Sequence, residues 1–569
     1  MTRSAGIKGI TLAAAACVVL AGCSSGSSAS KGGGTSPATA LVIEDNTSST
    51  AYTNNFNPFD SGDFVLSENT AAFDYEPLMQ INTLNPSEAP IPWLAKGFTW
   101  SNGGKTLTIA LNPDAKWSDG SAFTSADVAF TYHMVTENQA MNLQGVPTAS
   151  SIATPDANTV VLTFATPQAA NYVAIADQLI VQKKQWSSIS NPATYVLPGA
   201  QAVGTGPYEL DSFSGQDVKY KANPHYWGGV PKVTELSVPL YTSNDAAALA
   251  LESGQIDLAG NDINNVQTAF VAKDPTHNHL YESSAPYFPG ASTVSLLLNN
   301  ESRQAPALGN ADVRLAISAA LDRRSMATQC ETDYEAPASS AGGLVLPLDQ
   351  NELNPATAND ISPEPDQSAV ATDMAAAGYR MTNGKWTKNG QQVSFTIIDP
   401  NSFSDYWCDA QEMVTELNEA GFNVTADGAF TFNTWTQAIT TGNFTAALHW
   451  GQGSTPFQRD QFILDSSQSA AVGSTAAGDW DRFSDPAAQT AITAYEGAST
   501  PAAQQSALDT IQQVFASQMP AVPVLYGAAW YEYNDSHFTG WPNSQNAYIN
   551  PSPQSQAYEY LVLHLSPVS

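Results

Sequence analysis

The chain has 569 residues, a formal net charge of −32 and only 13% charged residues. So acidic a protein is unsuited to a nucleic-acid partner, because phosphate binding needs clustered basic side chains. The length exceeds what one hydrophobic core supports, so we expect two or three lobes.

The N-terminus is typical of an exported protein. Arg3 and Lys8 precede an apolar run over residues 9–20, which is too short to span a bilayer. The next segment, Leu20-Ala21-Gly22-Cys23, resembles the lipobox of bacterial lipoproteins. We therefore predict a signal peptide over residues 1–22 and lipidation of Cys23, which would anchor the protein to the extracytoplasmic side of the cell membrane. The alternative is an ordinary signal peptide with a chance cysteine.

A polar segment follows the predicted lipid site. Residues 24–39 are almost all Ser, Gly, Ala and Thr, with a single charge at Lys31. Such a segment buries little apolar surface, so residues 23–40 are predicted to be a flexible tether with a reach of roughly 20 Å. Two patterns here look catalytic, GxSxG over residues 22–26 and SxxK over residues 28–31. We reject both, because a tether cannot form the required strand–turn–helix.

Strands and helices are interspersed along the rest of the chain. Apolar residues alternate with their neighbours over residues 106–111 and 160–164, which predicts two half-buried strands. Asn244 is a candidate N-cap for a helix over residues 246–253 that Gly254 ends. Asn310 is predicted to cap a helix in which apolar residues recur at helical spacing from residue 313 to 321. The mixture predicts an α/β or α+β protein and excludes an all-β sandwich.

Two cysteines remain after the predicted signal and lipid site, Cys330 and Cys408. Disulfides persist outside the cytoplasm, so we predict a bridge between them. The alternative is a pair of buried free thiols. A metal pair is not favoured, because no second CxxC or HxxxH spacing accompanies them.

One local group of possible metal ligands is present, namely Asp274, His277, His279 and Glu282. We interpret it as a solvated loop, because polar residues adjacent on a loop need not converge on one point. The chain contains no HExxH, P-loop or dinucleotide glycine pattern. Neither a resident metal nor a cofactor is therefore predicted.

Six segments along the chain carry recognisable motifs. One is a strand–turn–helix signature that ends in Phe123–Phe130, another is the element Gly-Thr-Gly-Pro-Tyr, and a third is Asn-Pro-His-Tyr-Trp-Gly-Gly. Taken in order, the six segments resemble the family 5 extracellular solute-binding proteins of ABC importers, which include oligopeptide, dipeptide, nickel and cello-oligosaccharide receptors. Most of these residues have structural roles in turns and at helix starts, so they indicate a fold and not a ligand. The six segments lie at residues 111–130, 204–208, 223–229, 253–257, 312–323 and 442–450.

The resemblance implies an α/β, bilobal periplasmic-binding-protein fold of type II with an additional domain and a ligand cleft between the lobes. Carried over in order, it predicts a first lobe from residues 41–75, 200–290 and 520–569, an additional domain over 76–199 and a second lobe over 291–519. It further implies a monomer without catalytic activity that captures a solute and passes it to ABC permease subunits in the membrane. A less favoured rival is a secreted polysaccharide hydrolase, which would need two carboxylates about 5–10 Å apart.

The kind of solute is suggested by the segment after Trp450. Peptide receptors of the family usually place an Asp shortly after a Trp, to pair with the peptide's α-ammonium. Gln452 and Ser454 stand in that stretch here, and the nearest acid is Asp460. An unpaired buried ammonium would cost several kcal/mol, so an oligosaccharide is favoured and an oligopeptide is the alternative.

Candidate ligand-binding residues follow from the chemistry of sugars, whose C–H faces pack on aromatic rings and whose hydroxyls bond to amides. A segment near the C-terminus also resembles the oligosaccharide branch, and residues near the N-terminus are expected to face the cleft in family fashion. For each Trp the alternative is core packing, and for the N-terminal residues it is a turn and a solvated acid. The candidates are Trp407, Asn433, Trp435, Trp450, Gln452, Ser454, Trp541, Asn57, Phe59 and Glu76.

Overall fold

A computed structural model describes residues 40–44, 51–60, 64–67, 69–85, 88–138, 141–260, 263, 265–357, 361–498 and 500–568. The predicted signal peptide, Cys23, the tether up to residue 39 and both rejected catalytic patterns lie outside these residues. Within the described part of the chain, no helix has the length and apolarity needed to cross a membrane.

The strands are short and spread over the whole described chain. In order they are β1 (Leu41–Glu44), β2 (Met79–Gln80), β3 (Ile91–Pro92), β4 (Ala95–Ser101), β5 (Thr106–Leu111), β6 (Ser151–Asp156), β7 (Thr159–Thr163), β8 (Tyr208–Phe213), β9 (Asp217–Ala222), β10 (Glu235–Pro239), β11 (Leu258–Ala259), β12 (Asn278–Leu280), β13 (Gly290–Leu298), β14 (Ala336–Pro337), β15 (Arg380–Thr382), β16 (Lys385–Lys388), β17 (Gln391–Gln392), β18 (Ser394–Ile398), β19 (Asn423–Asp427), β20 (Ala446–Trp450), β21 (Ala521–Ala528), β22 (Glu532–Asn534), β23 (Phe538–Thr539) and β24 (Ser566–Pro567).

The α-helices concentrate in the second half of the chain. In order they are α1 (Phe64–Ser67), α2 (Ala71–Asp74), α3 (Ser125–Glu137), α4 (Tyr172–Ala176), α5 (Lys183–Trp186), α6 (Asn244–Glu252), α7 (Val266–Ala269), α8 (Ala311–Ala320), α9 (Arg323–Gln329), α10 (Gln367–Ala376), α11 (Ser404–Glu419), α12 (Phe432–Thr440), α13 (Pro456–Leu464), α14 (Pro486–Gly497), α15 (Pro501–Gln518) and α16 (Tyr558–His564).

Three larger sheets organise the molecule. The first has seven strands in the order β12-β22-β11-β1-β10-β9-β8, and the second has six in the order β14-β21-β13-β20-β18-β19. The third is a four-stranded antiparallel sheet, β4-β5-β7-β6, that lies wholly within residues 95–163. Each sheet has its own buried apolar cluster, as expected for lobes with separate cores.

The chain passes between the first and second sheets along β13 and β21, which pair antiparallel within the second sheet. The chain enters β13 from the first lobe and leaves β21 towards β22, which belongs to the seven-stranded sheet. The predicted boundary at residue 520 lies directly before β21. Residues 521–528 form this strand between β14 and β13 of the second sheet, where their apolar side chains are buried.

Local sequence signals explain several of these elements. The predicted strand over 106–111 is β5, and the strand predicted over 160–164 is β7, displaced by one residue. Helix α3 begins after Thr124, which forms a capping box with Asp127, and Val128 packs the helix into the core. The tight turn predicted before it ends at Gly120, whose φ is +79°. These features agree with the first segment of the family signature.

The two predicted helix caps have different outcomes. Asn310 caps α8, because its side chain accepts a hydrogen bond from the Val313 backbone N–H at 3.3 Å. The prediction for Asn244 is wrong by one residue. Helix α6 begins at Asn244, and its cap is Ser243, whose hydroxyl accepts from the Ala246 N–H at 3.3 Å.

The Gly-Thr-Gly-Pro-Tyr element brings two backbone segments into direct contact. A Cβ on Gly204 would lie 1.6 Å from the Asp74 carbonyl oxygen, and one on Gly206 would lie 2.1 Å from that of Phe73. Only glycine fits at these two positions. The element thus packs the start of β8 against α2 in the first lobe.

The predicted disulfide is confirmed. Cys330 at the end of α9 and Cys408 in α11 are bridged, with their Cα atoms 5.5 Å apart. The bridge joins two cysteines that are 78 positions apart and links the first half of α11 to the C-terminal end of α9.

Candidate functional site

A cavity of about 1230 Å³ lies where residues of the three predicted lobes meet. Asn142 and Asp177 line it from the range predicted as additional domain, Ser552 from the first lobe and Trp450 from the second. Strands β13 and β21 reach the cavity as well, through Ser292 and Ala528, and so do the two residues that follow β21. Its volume exceeds the roughly 300–1,000 Å³ of a common small-molecule pocket, so it suits a solute of several units.

The wall of this cavity is dominated by neutral polar and aromatic side chains. Among the described residues, fourteen amides and seven aromatic rings line it, while only four lining residues carry a charge. The amides are Asn69, Gln80, Asn142, Gln144, Gln168, Asn171, Asn244, Gln452, Gln458, Gln461, Gln468, Asn550, Gln554 and Gln556. The aromatic residues are Phe403, Tyr406, Phe432, Trp450, Phe462, Trp480 and Trp530.

Three of the predicted ligand residues, Trp450, Gln452 and Ser454, line the cavity. Trp450 is the last residue of β20 and is half-buried. The loop that follows it is terminated by Thr455, whose hydroxyl caps α13 by accepting from the Gln458 N–H at 3.2 Å. This loop places Gln452 and Ser454 on the cavity wall together with Trp450.

Trp450 belongs to a group of rings on one wall of the cavity. Its ring centroid lies 6.2 Å from that of Phe403 and 6.3 Å from that of Tyr406, and the Tyr406 ring is nearly parallel to it. Phe432 lies 6.3 Å from Phe403. We call these four lining residues, Phe403, Tyr406, Phe432 and Trp450, the aromatic wall. Phe403 lies directly before α11, Tyr406 lies in its first turn and Phe432 begins α12. Apart from Trp450, none of the four was among the sequence candidates.

The charged residues on the cavity wall are Asp177, Asp405, Arg459 and Glu496. Arg459 forms a salt bridge with the buried carboxylate of Asp349. Glu496 accepts a hydrogen bond from the Gln461 side chain at 3.0 Å. The guanidinium of Arg459 is thus already paired. The wall carries three carboxyl groups against this one positive side chain.

Two of the lining carboxylates are buried and have raised pKa values. Burial raises the pKa of Asp177, the residue that follows α4, to about 7. Burial also raises the pKa of Asp405 to about 6, although backbone N–H groups at the start of α11 oppose that effect. Neither residue was among the sequence candidates. They are 228 positions apart in the chain, and only the fold places both on one cavity.

Three predicted residues of the same region lie off the cavity wall. Trp435 is 1% exposed, because it packs behind the aromatic wall, 5.6 Å from the Trp450 ring. Trp407 is half-buried against Gly428, and Asn433 points to solvent from α12. The core alternative thus applies to Trp435, and its neighbour Phe432 occupies the cavity surface instead.

The N-terminal candidates have structural roles. Asn57 is fully buried, and its side chain donates to the carbonyls of Pro192 and Tyr195 at 2.8 and 2.9 Å. Phe59 is buried against Trp186. Neither residue lines the cavity.

Glu76 is neither a cleft residue nor a solvated acid. Its buried carboxylate accepts hydrogen bonds from Trp93, Tyr226 and Trp227 at 2.6–2.8 Å. Tyr226 and Trp227 belong to the Asn-Pro-His-Tyr-Trp-Gly-Gly segment, which explains that segment as a clamp on Glu76. Burial raises the pKa of Glu76 to about 7 despite these donors.

Trp541 is also part of a core. It is 6% exposed and stacks on Tyr533 with ring centroids 5.0 Å apart, inside the first lobe. The C-terminal contribution to the cavity comes instead from residues 550, 552 and 554–557. For Trp541 the structure thus corresponds to the core-packing alternative.

The possible metal ligands around His277 form a different arrangement from the expected loop. Residues 278–280 are the edge strand β12, and His277 and His279 both reach Asp535, at 2.8 and 3.2 Å. Asp274 accepts a hydrogen bond from the Thr276 backbone. Among the residues that the structure describes, no group of three His, Cys, Asp or Glu side chains is arranged to hold a metal ion.

Comparison with known proteins gives consistent matches. The model of the bacterial extracellular solute-binding proteins, family 5 middle, matches residues 89–473. Protein XP55 of Streptomyces lividans is 27% identical over 339 residues, which are 58% of this chain. The chain spans only 57% of that relative's length.

Solved structures share the fold over nearly the whole chain. A periplasmic oligopeptide-binding protein of Thermotoga maritima, described with mannohexaose bound, has a TM-score of 0.79 at 19% identity and covers 94% of this chain and 99% of its own. AppA of Bacillus subtilis, described in complex with a nonapeptide, has a TM-score of 0.73 at 18% identity and covers 93% of this chain and 99% of its own. The bilobal fold expected from the sequence is thereby confirmed.

Proposed function

Because the chain belongs to the bacterial extracellular solute-binding proteins of family 5, we propose that it is the receptor of an ABC importer for an extended oligosaccharide. The solute would be held in the cavity between the lobes and passed to permease subunits in the membrane. Lobes that close over a cleft are the usual means by which such receptors sequester a solute.

One observation carries the choice of an oligosaccharide, namely the composition of the cavity wall. Amide side chains both donate and accept hydrogen bonds, which suits the many hydroxyl groups of a sugar. The aromatic wall offers ring faces of the kind that pack on the C–H face of a pyranose. Trp450, Gln452 and Ser454 combine both features within five residues of the chain.

The second candidate is an oligopeptide receptor of the same family. It is favoured by the carboxylates of Asp177 and Asp405 on the cavity wall, because either could pair with a peptide's α-ammonium. Neither stands in the stretch after Trp450 where a peptide receptor of this family would be expected to carry its acid.

The membrane attachment belongs to the same proposal. Lipidation at Cys23 would tether the receptor near its permease while residues 24–39 leave the lobes free to move. As a receptor the protein would bind solute without changing it, which separates the proposal from the rival polysaccharide hydrolase.

A thermal-shift screen across di- to hexasaccharides and tri- to pentapeptides tests the proposal. A ligand that binds only the folded state stabilises it by about 2.7 kcal/mol at one hundred times its Kd, which is an easily measured shift. We expect a raised melting temperature with at least one oligosaccharide and chromatographic recovery of that sugar unchanged. Shifts with peptides alone would favour the second candidate, and cleavage of the sugar would favour the hydrolase.

A further inference from the structure

The ionisable side chains on the cavity wall are predominantly acidic. Asp177, Asp405 and Glu496 line the cavity, and among the described residues on the wall the one cation, Arg459, is bound to buried Asp349. The whole chain carries a net charge of −32. A cleft with this sign of charge repels anionic solutes and concentrates cationic ones.

Asp405 occupies a particular position on this wall. It lies in the first turn of α11 and is 7% exposed, with Phe403 and Tyr406 as near neighbours in sequence. The ring centroids of Phe403 and Tyr406 lie 6.2 and 6.3 Å from that of Trp450, and all three residues line the cavity. A cavity wall that combines a carboxyl group with aromatic rings is suited to an ammonium group, which can gain both ion pairing and cation–π attraction.

Further carboxyl groups lie behind Asp405, away from the cavity. Asp399 is 1% exposed, and neither of its carboxylate oxygens has a hydrogen-bond partner among the described residues. Burial raises its pKa, and the charges of Asp405 and Asp409 raise it further. Glu335, which is also buried, accepts a hydrogen bond from the Tyr406 hydroxyl at 3.4 Å. This end of the cavity is therefore backed by additional negative groups.

No basic side chain offsets these groups directly. Within the described part of the chain, no Lys or Arg forms a salt bridge with Asp399, Asp405 or Glu335. Closure over a neutral solute would leave the Asp405 carboxylate desolvated without a counter-charge. A cationic group on the solute would remove that cost, because a desolvated charge is tolerated best when it is paired.

We infer that this end of the cavity is a subsite for an ammonium group of the solute, with Asp405 as its counter-ion and the three neighbouring rings as its walls. The inference rests on the proposed function and narrows it to an oligosaccharide that bears a free amine. The α-ammonium or lysine side chain of a peptide has the same chemistry, so the experiment must separate these two sources.

Three oligosaccharides with the same linkage and length provide the test on the unaltered protein. They are the hexamer of glucosamine, the hexamer of N-acetylglucosamine and cellohexaose, which carry an amine, an acetamide and a hydroxyl at the same ring position. Calorimetry at pH 6 should show the amine-bearing hexamer binding at least tenfold more tightly than either of the others. Its affinity should also fall more steeply with added salt.

A single substitution then shows whether Asp405 causes the preference for the amine-bearing hexamer. Asp405→Asn keeps the shape of the side chain and removes its charge, so it should cancel the tenfold preference and change cellohexaose binding by less than threefold. Glu419→Gln removes an exposed carboxylate at the other end of the same helix and should leave all three affinities unchanged. The comparison of the three sugars remains decisive if the Asp405 variant does not fold.

Two results would overturn the ammonium subsite. In one, the unaltered protein binds cellohexaose as tightly as the glucosamine hexamer, which leaves the oligosaccharide receptor intact. In the other, Asp405→Asn weakens all the sugars equally. Binding of a lysine-containing peptide, lost in Asp405→Asn, with no binding of any sugar, would instead support the subsite and reject the oligosaccharide.

Discussion

Trp450 is the residue on which oligosaccharide binding should depend most, because its ring is both on the cavity wall and in contact with the other rings there. Trp450→Ala should weaken binding of the best oligosaccharide by more than tenfold, since it removes a stacking face and leaves a wet gap. Calorimetric titration of both proteins gives the ratio.

Trp407 provides a matched control for that substitution. It is a half-buried Trp of the same lobe that lies off the cavity wall, so Trp407→Ala should change oligosaccharide affinity by less than about twofold. Equal losses in the two variants would mean that Trp450 acts through general stability and not through the solute.

Asp177 should make the free energy of unfolding depend on pH. Its pKa is about 7 in the folded protein because of burial, against about 3.9 in an unfolded chain. The unfolded chain therefore releases this proton first, and stability falls as pH rises between those two values. Asp177→Asn should raise the free energy of unfolding at pH 8 by as much as about 4 kcal/mol, at 1.36 kcal/mol per unit, and change it little at pH 4.

Denaturant unfolding at the two pH values measures this difference. Asp114→Asn, at an exposed position of the same predicted domain, is the control and should have no effect at either pH. A stabilisation by Asp177→Asn that is the same at pH 4 and pH 8 would contradict a titrating buried carboxyl group.

At the level of single residues, sequence patterns predicted which residue types line the cavity but not which copies of them do so. Trp450 and Trp435 are both consistent with a stacking role, yet one lines the cavity and the other packs behind it. Asp177 and Asp405 were missed because no local spacing relates them. Glu76 was ambiguous because its three hydrogen-bond donors come from distant segments.

The disulfide between α9 and α11 is a feature at the scale of elements. It restrains the half of α11 that carries Asp405 and Tyr406, so its loss should lower both stability and solute affinity. For a loop of this length the entropic effect on the unfolded chain gives about 4 kcal/mol as an upper figure. The double variant Cys330→Ala, Cys408→Ala should therefore melt at a lower temperature.

Peptide mapping checks the bridge itself. A non-reduced digest should contain one peptide pair joined through Cys330 and Cys408. Recovery of both thiols in alkylated form without prior reduction would reject the bridge.

Elements with strong local signals were predictable, whereas their placement in sheets was not. The cap at Asn310 and the alternation over residues 106–111 need only near neighbours, and both elements form as expected. Ser243 and Asn244 are adjacent and are equally good N-cap residues, so the first residue of α6 could not be decided from the sequence. The strand over residues 521–528 pairs with β13 and β14, and this pairing could not be predicted, because the sequence of a buried strand does not specify its neighbours in a sheet.

At the scale of the whole molecule, attachment to the membrane should depend on Cys23 alone. The predicted lipid site at Cys23 is followed by a polar segment and by an acidic body that anionic lipid headgroups would repel. Cys23→Ser should release soluble protein or leave unprocessed precursor in fractionated cells. Processed protein of the correct size that stays fully membrane-bound in this variant would contradict lipid anchoring.

The family segments identified the bilobal fold from sequence because they consist of turns, caps and close backbone contacts that the fold requires. Gly204 and Gly206 illustrate this, since any side chain there would collide with α2. The same segments carry no information on the solute, because nearly all of them lie away from the cavity wall.

Isothermal titration calorimetry of the purified protein with matched oligosaccharides and oligopeptides tests the central claim most directly. We predict micromolar or tighter binding of at least one oligosaccharide of four to six units, with one solute per protein and with the sugar recovered intact. Micromolar or tighter binding of a free-amine oligopeptide, together with no heat from any oligosaccharide, would contradict an oligosaccharide receptor.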